Sequence, residues 1–135
     1  MLAFLEKNVN KKRLLITKRN NMKFKELYIK GSKESLDLFV NKIVEYAKNG
    51  WMYRTDTFMN WTYHFFRKEE YGVEVSILYK EKDGCYYVPN IVPLQKSQIT
   101  REEYNDFLIK FKNEVVDPCV AEKFQNNEIT LEVVG

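Results

Sequence analysis

WMYRTDTFMNWTYHFFRKEEYGVEVSILYKEKDGCYYVPNIV, residues 51–92, decides the fold. Trp51–Phe58 and Trp61–Arg67 are aromatic and β-branched, with a turn near Met59-Asn60 between them, and read as two strands. Glu69-Glu70-Tyr71-Gly72 is a polar break. Val73, Val75, Ile77 and Tyr79 then alternate with Glu74, Ser76, Leu78 and Lys80, the period of a strand. Lys82-Asp83-Gly84 holds an Asp-Gly pair, the strongest short hairpin signal. Cys85–Val92 completes that hairpin, and Pro89, which has no N–H to give a ladder, implies an edge position or an irregularity there.

Outward from this block the period changes to that of a helix on both sides. Toward the N-terminus, Leu36, Phe39, Val40, Ile43, Val44 and Ala47 recur at spacings of three and four, preceded by Gly31-Ser32 and ended by Gly50. Before that helix, residues 23–30 alternate as a strand, with Leu27 and Ile29 on one face and Phe24 and Tyr28 on the other. Toward the C-terminus, Thr100-Arg101-Glu102-Glu103 spells a capping box. Tyr104, Phe107, Leu108, Phe111 and Val115 follow as one helical stripe. Asp117-Pro118 is expected to end or kink the helix, with a short turn on to Phe124. Ile129, Leu131 and Val133 form a last strand. The order is β-α-β-β-β-β-α-β. Each helix has one apolar stripe to bury, so the natural solution is α+β: two helices packed on one face of a mainly antiparallel sheet. This resembles a ferredoxin-like sandwich with an extra hairpin.

The chain has 135 residues, the length of one domain. Apolar residues make up 44% and charged residues 30%, and mean hydropathy is −0.50. Aromatic content is high at 15%, with nine Tyr beside nine Phe. The net charge of +3 is unevenly placed. Residues 1–21 carry six basic residues against Glu6 alone, a net of +5, and read as a mobile basic N-terminal arm or as sequence before a natural start at Met22, the alternative being a short helix or added strand docked on the body. Residues 22–135, read as a single α+β domain, hold 16 basic and 18 acidic residues, a net of −2. A basic footprint, the main sign of nucleic-acid binding, is therefore missing from the body as a whole. Two cysteines without metal or redox spacing, no secretory h-region and no apolar run near the ~20 residues of a membrane span imply a cytoplasmic protein with no membrane partner.

Chemistry-bearing residues are few. His64 is the single histidine and sits inside a strand. As a general base it would need an acid or nucleophile beside it. Cys85 and Cys119 read as passive, and Asp56, Glu74 and Asp83 lack the spacing of a metal cluster. No phosphate loop, nucleophile elbow or zinc motif is present. We therefore expect no catalytic residues, no metal and no cofactor. The positive lead is aromatic: Trp51, Tyr53, Trp61, Tyr63 and Phe65 lie on neighbouring strands, interleaved with Arg54, Arg67 and Lys68. Such a surface serves a protein partner or self-association. The alternative is stacking of single-stranded bases with the cations on phosphates. A third reading, a small enzyme with His64 or a carboxylate cluster at its site, requires a deep pocket that sets His64 beside an acid. The candidate binding set is Trp51, Tyr53, Arg54, Trp61, Tyr63 and Arg67.

Residues 87–108, YVPNIVPLQKSQITREEYNDFL, resemble a group of small bacterial proteins of unknown function, which share a strand ending in YVxNIVP and a helix opening with EEYN. The likeness extends loosely back to KELYIKGS. It implies an accessory protein of mobile elements or defence loci, antitoxin-like or immunity-like, that works by binding a partner. It brings no catalytic residues with it.

Overall fold

A computed structural model describes residues 24–135. The basic segment 1–21 and Met22 lie outside the described residues. Six strands form one sheet: β1 (Glu26–Gly31), β2 (Trp51–Phe58), β3 (Trp61–Lys68), β4 (Val73–Lys80), β5 (Cys85–Pro93) and β6 (Ile129–Val134). Their order across the sheet is β2-β3-β4-β5-β1-β6, and every neighbouring pair is antiparallel. Helix α1 (Lys33–Lys42) carries the chain from β1 to the far edge at β2. The meander β2–β5 returns to β1, and α2 (Arg101–Phe111) with α3 (Asp117–Lys123) leads to the other edge at β6. The expected α+β architecture, a ferredoxin-like arrangement with a hairpin inserted, is what forms.

The helices close one face of the sheet. Leu27, Ile29, Val75, Ile77 and Phe66 from the strands meet Leu36 and Phe39 from α1, Ile43 just after it, and Leu108 and Phe111 from α2, all 0% exposed. Phe66 and Phe111 touch ring to ring at 5.1 Å. Truncating either to alanine would cost about 3–5 kcal/mol.

Both helices begin as the sequence requires. Ser32 caps α1 by accepting from the Ser35 amide at 3.0 Å. Thr100 and Glu103 form the reciprocal capping box on α2, at 3.1 and 2.9 Å. Their ends are less regular. After Lys42 the chain tightens into a 3-10 turn, Ile43–Tyr46. Three residues per turn instead of 3.6 rotates the stripe, so Tyr46 is buried while Val44 is 39% exposed. Pro118 does not end the second helical run. A π turn, Lys112–Val116, takes up the missing donor, with the Asp117 amide reaching five residues back to the Lys112 carbonyl, and α3 starts with proline in its first turn.

The sheet has two notable connections. Met59 and Asn60 both adopt positive φ (52° and 71°), so β2 and β3 are joined by a two-residue loop whose twist matches the strands. Pro89 lies in an interior strand, between β4 and β1, and the edge option for it is thereby corrected. Instead a register shift between Ser76 and Leu78 gives β5 one extra residue there, the irregularity that proline permits.

Candidate functional site

The register separates the two faces of the β2–β3 hairpin. Trp51, Tyr53, Thr55 and Thr57 stand opposite Lys68, Phe66, His64 and Thr62, on the helix side. Met52, Arg54, Asp56 and Phe58 stand opposite Arg67, Phe65, Tyr63 and Trp61, on the open side. The candidate set is thus split. Trp51 and Tyr53 belong to the covered face; Arg54, Trp61, Tyr63 and Arg67 share the open one.

On the covered face, Trp51 is 2% exposed and packs edge-on against Phe111 at 5.6 Å and Tyr71 at 5.9 Å. Its indole N–H donates to Glu114 Oε1 at 2.9 Å. The same carboxylate accepts from Lys68 Nζ at 3.2 Å and from the Tyr71 hydroxyl at 2.6 Å. Burial pushes the Glu114 carboxyl up, but these three donors outweigh it and hold it below the ordinary 4.5. Burial likewise opposes the Lys68 charge, and the Glu114 hydrogen bond and charge more than offset that. Trp51 and Lys68 therefore fasten the hairpin to the π turn, and neither ring nor ammonium is available to a base or a phosphate. Tyr53 is half-buried, tilted against Phe66 at 5.2 Å and stacked on His64, with its hydroxyl 2.7 Å from His64 Nδ1.

His64 has Tyr53 as its polar neighbour and Tyr86 as an edge-on ring neighbour at 6.2 Å. Burial lowers its pKa from 6.5. Asp56 and Glu74 lie on the other side of the sheet, and among the described residues no acid is hydrogen-bonded to the imidazole. Cys85 and Cys119 are buried and unlinked, and burial raises both thiols, Cys119 to about 12. A thiolate nucleophile at neutral pH is not supported at either position. Asp83, in the β4–β5 turn, is paired with Lys80 at 3.2 Å, away from Asp56 and Glu74. Among the described residues no group of three or more His, Cys, Asp or Glu side chains could hold a metal.

The open face offers a different surface. β4 pairs with β3 only over His64–Lys68, so the hairpin tip runs on past the rest of the sheet. Residues 54–62 are all exposed. The tip carries Phe58 at 63%, Met59 at 74% and Trp61 at 58% exposure. Behind it lies a hollow of about 510 Å³, lined by Phe58, Tyr63, Phe65 and Val92 with Asp56 and Asn90. Arg54 lies 4.0 Å over the Phe65 ring and clamps the buried Glu74 carboxylate with two bonds of 3.2 Å. Arg67 holds Glu69 at 2.8 Å, Lys80 holds Asp83, and Lys30 holds Glu132. Asp56 has no such partner among the described residues. The exposed Phe58, Met59 and Val92 were not in the sequence-read set, although an exposed pair flanking a two-residue loop is legible once the turn at Met59-Asn60 is accepted.

Compared with protein families, with curated proteins and with solved structures, the chain matches none of them.

Proposed function

We propose that this chain is a partner-binding protein that engages another protein through the tip of the β2–β3 hairpin and the open sheet face behind it. One observation carries this reading. Of nine large apolar side chains exposed among the described residues, five (Met52, Phe58, Met59, Trp61 and Val92) belong to this tip and face. Single exposed apolar residues are ordinary, whereas a contiguous aromatic and methionine cluster beside a hollow is the composition of an interface core.

Charge favours a protein over nucleic acid. The open-face cations Lys30, Arg54, Arg67 and Lys80 each have a carboxylate partner, so phosphates would have to displace existing ion pairs. The resemblance of residues 87–108 to small bacterial accessory proteins supports an antitoxin-like, immunity-like or defence-accessory role within this reading.

The test is capture from bacterial lysate by the immobilised chain, the Trp61→Ala/Met59→Ala variant, and a Leu38→Ser control on α1, where Leu38 is also exposed (46%). The proposal expects a stoichiometric protein retained by the unmodified chain and the control, and lost by the tip variant. Retention of nucleic acid that washes off as salt rises, or equal capture by the tip variant, would overturn it.

A further inference from the structure

The free edge of β2 is the second place where this molecule is unfinished. β2 pairs in unbroken register from Trp51 to Phe58 with β3 and, among the described residues, has no neighbour on its other side. Natural edge strands are usually blunted by proline, lysine, a bulge or a covering element. Within 51–58 there is no proline, no lysine and no register shift.

The hairpin loop fixes which backbone groups point outward. In a two-residue loop the Phe58 carbonyl accepts from the Trp61 amide, so Phe58 and every second residue before it bond inward to β3. Tyr53, Thr55 and Thr57 therefore present their amides and carbonyls to the free edge. The Trp51 amide is already used by the Lys48 carbonyl at 3.3 Å.

We propose that this edge pairs with the β2 edge of a second copy, antiparallel about a two-fold axis at Thr55. An axis at Arg54 would oppose the two Arg54 side chains, and one at Asp56 would oppose the two Asp56 carboxylates. An axis at Tyr53 would set Arg54 against Met52. The axis at Thr55 alone sets Arg54 opposite Asp56 of the second copy, twice, and sets Met52 opposite Phe58, also twice. All four side chains lie on the open face, where Met52 is 53% and Phe58 63% exposed and Asp56 forms no ion pair among the described residues. Outward residues then face outward residues, giving about six backbone hydrogen bonds and one continuous sheet. The contact is isologous and closes at two copies. The opposite edge does not offer this: β6 carries Glu132 as its single charged residue, with no cation to meet it in a second copy. The inference does not rest on the function proposed above, since Met59, Trp61 and Val92 stay free.

Sedimentation equilibrium of the purified chain tests it, with Asp56→Arg and Arg54→Asp as variants and circular dichroism to confirm that each is folded. The unmodified chain is expected to dimerise. Each reversal replaces two attractive pairs by two like-charge pairs and should weaken dimerisation about tenfold or more. An equimolar mixture of the two variants restores both matched pairs and should recover the dimer. On the unmodified chain, amide exchange at Tyr53, Thr55 and Thr57 should slow as concentration rises, a readout independent of how well Arg54→Asp folds. A monomer at ~100 µM, or a dimer indifferent to Asp56→Arg with those amides unprotected, would overturn the inference, and neither result touches capture by the hairpin tip.

Discussion

Replacing Glu114 by alanine should be among the costliest single changes in this protein, and the structure gives the size. Glu114 receives hydrogen bonds from Trp51, Lys68 and Tyr71. Its removal leaves the Lys68 side chain, 7% exposed, with Glu70 at 3.9 Å as its remaining ion-pair partner. Breaking a buried pair by deleting one member costs about 3–5 kcal/mol, because the other charge stays desolvated. Glu114 is itself one-third exposed, so water can reach part of the gap and the low end, about 3 kcal/mol, applies. For a domain of this size that is a fall in Tm of about 10–15 °C. Urea unfolding followed by tryptophan fluorescence is a suitable assay, since Trp51 reports on the site. Adding Lys68→Met to the variant should recover part of the loss by removing the stranded cation. A cost below about 1 kcal/mol, or no recovery in the double variant, would refute the clamp. The same site has a pH signature. The Glu114 pKa is lowered in the folded state, so its contribution is present above about 4.5 and is lost as pH falls through the lower folded value. Glu114→Gln should flatten that acid limb.

Three other perturbations test separate parts of the account. Burial lowers the His64 pKa from 6.5, so His64 disfavours folding once pH drops below about 6.5, and its imidazole resonances should titrate below that value; titration at or above it would contradict the packing on Tyr53 and Tyr86. Gly31→Ala would bring a Cβ to 2.5 Å from the Glu128 carbonyl oxygen, a backbone atom, and should cost about 1–3 kcal/mol in urea unfolding. Thr100→Ala removes the cap of α2 and should cost about 1 kcal/mol; a neutral result would mean that the capping box contributes nothing.

Much of this fold was legible because the decisive signals are local. Phe58-Met59-Asn60-Trp61 marks its own turn, Thr100 and Glu103 mark their own helix start, and strict alternation marks β4. The failures come from effects that reach beyond a few residues. Alternation says that Trp51 and Met52 lie on opposite faces, but not which face the helices cover. That choice is made by Glu114, 63 residues away in sequence from Trp51, on a π turn that no periodicity announces. Val44 was misplaced because the helix tightens after Lys42, and Phe24 because the chain has not yet become a strand there; its ring meets Tyr104 edge-on at 5.2 Å. Nothing in the sequence separates Asp56 from Glu74, yet Glu74 is buried beneath Arg54 while Asp56 stays open. The aromatic block divides between the two faces of the sheet: half of it builds the core and half the surface.

If the hairpin tip is the contact surface, titration calorimetry of the captured partner against the unmodified chain and the Trp61→Ala/Met59→Ala variant must tell the two apart. Aromatic anchors at an interface centre contribute about 2 kcal/mol or more, so the account predicts affinity weakened about thirtyfold, with the Tm unchanged. Equal affinity for both chains, or a loss produced instead by Leu38→Ser on the helical side, would contradict it.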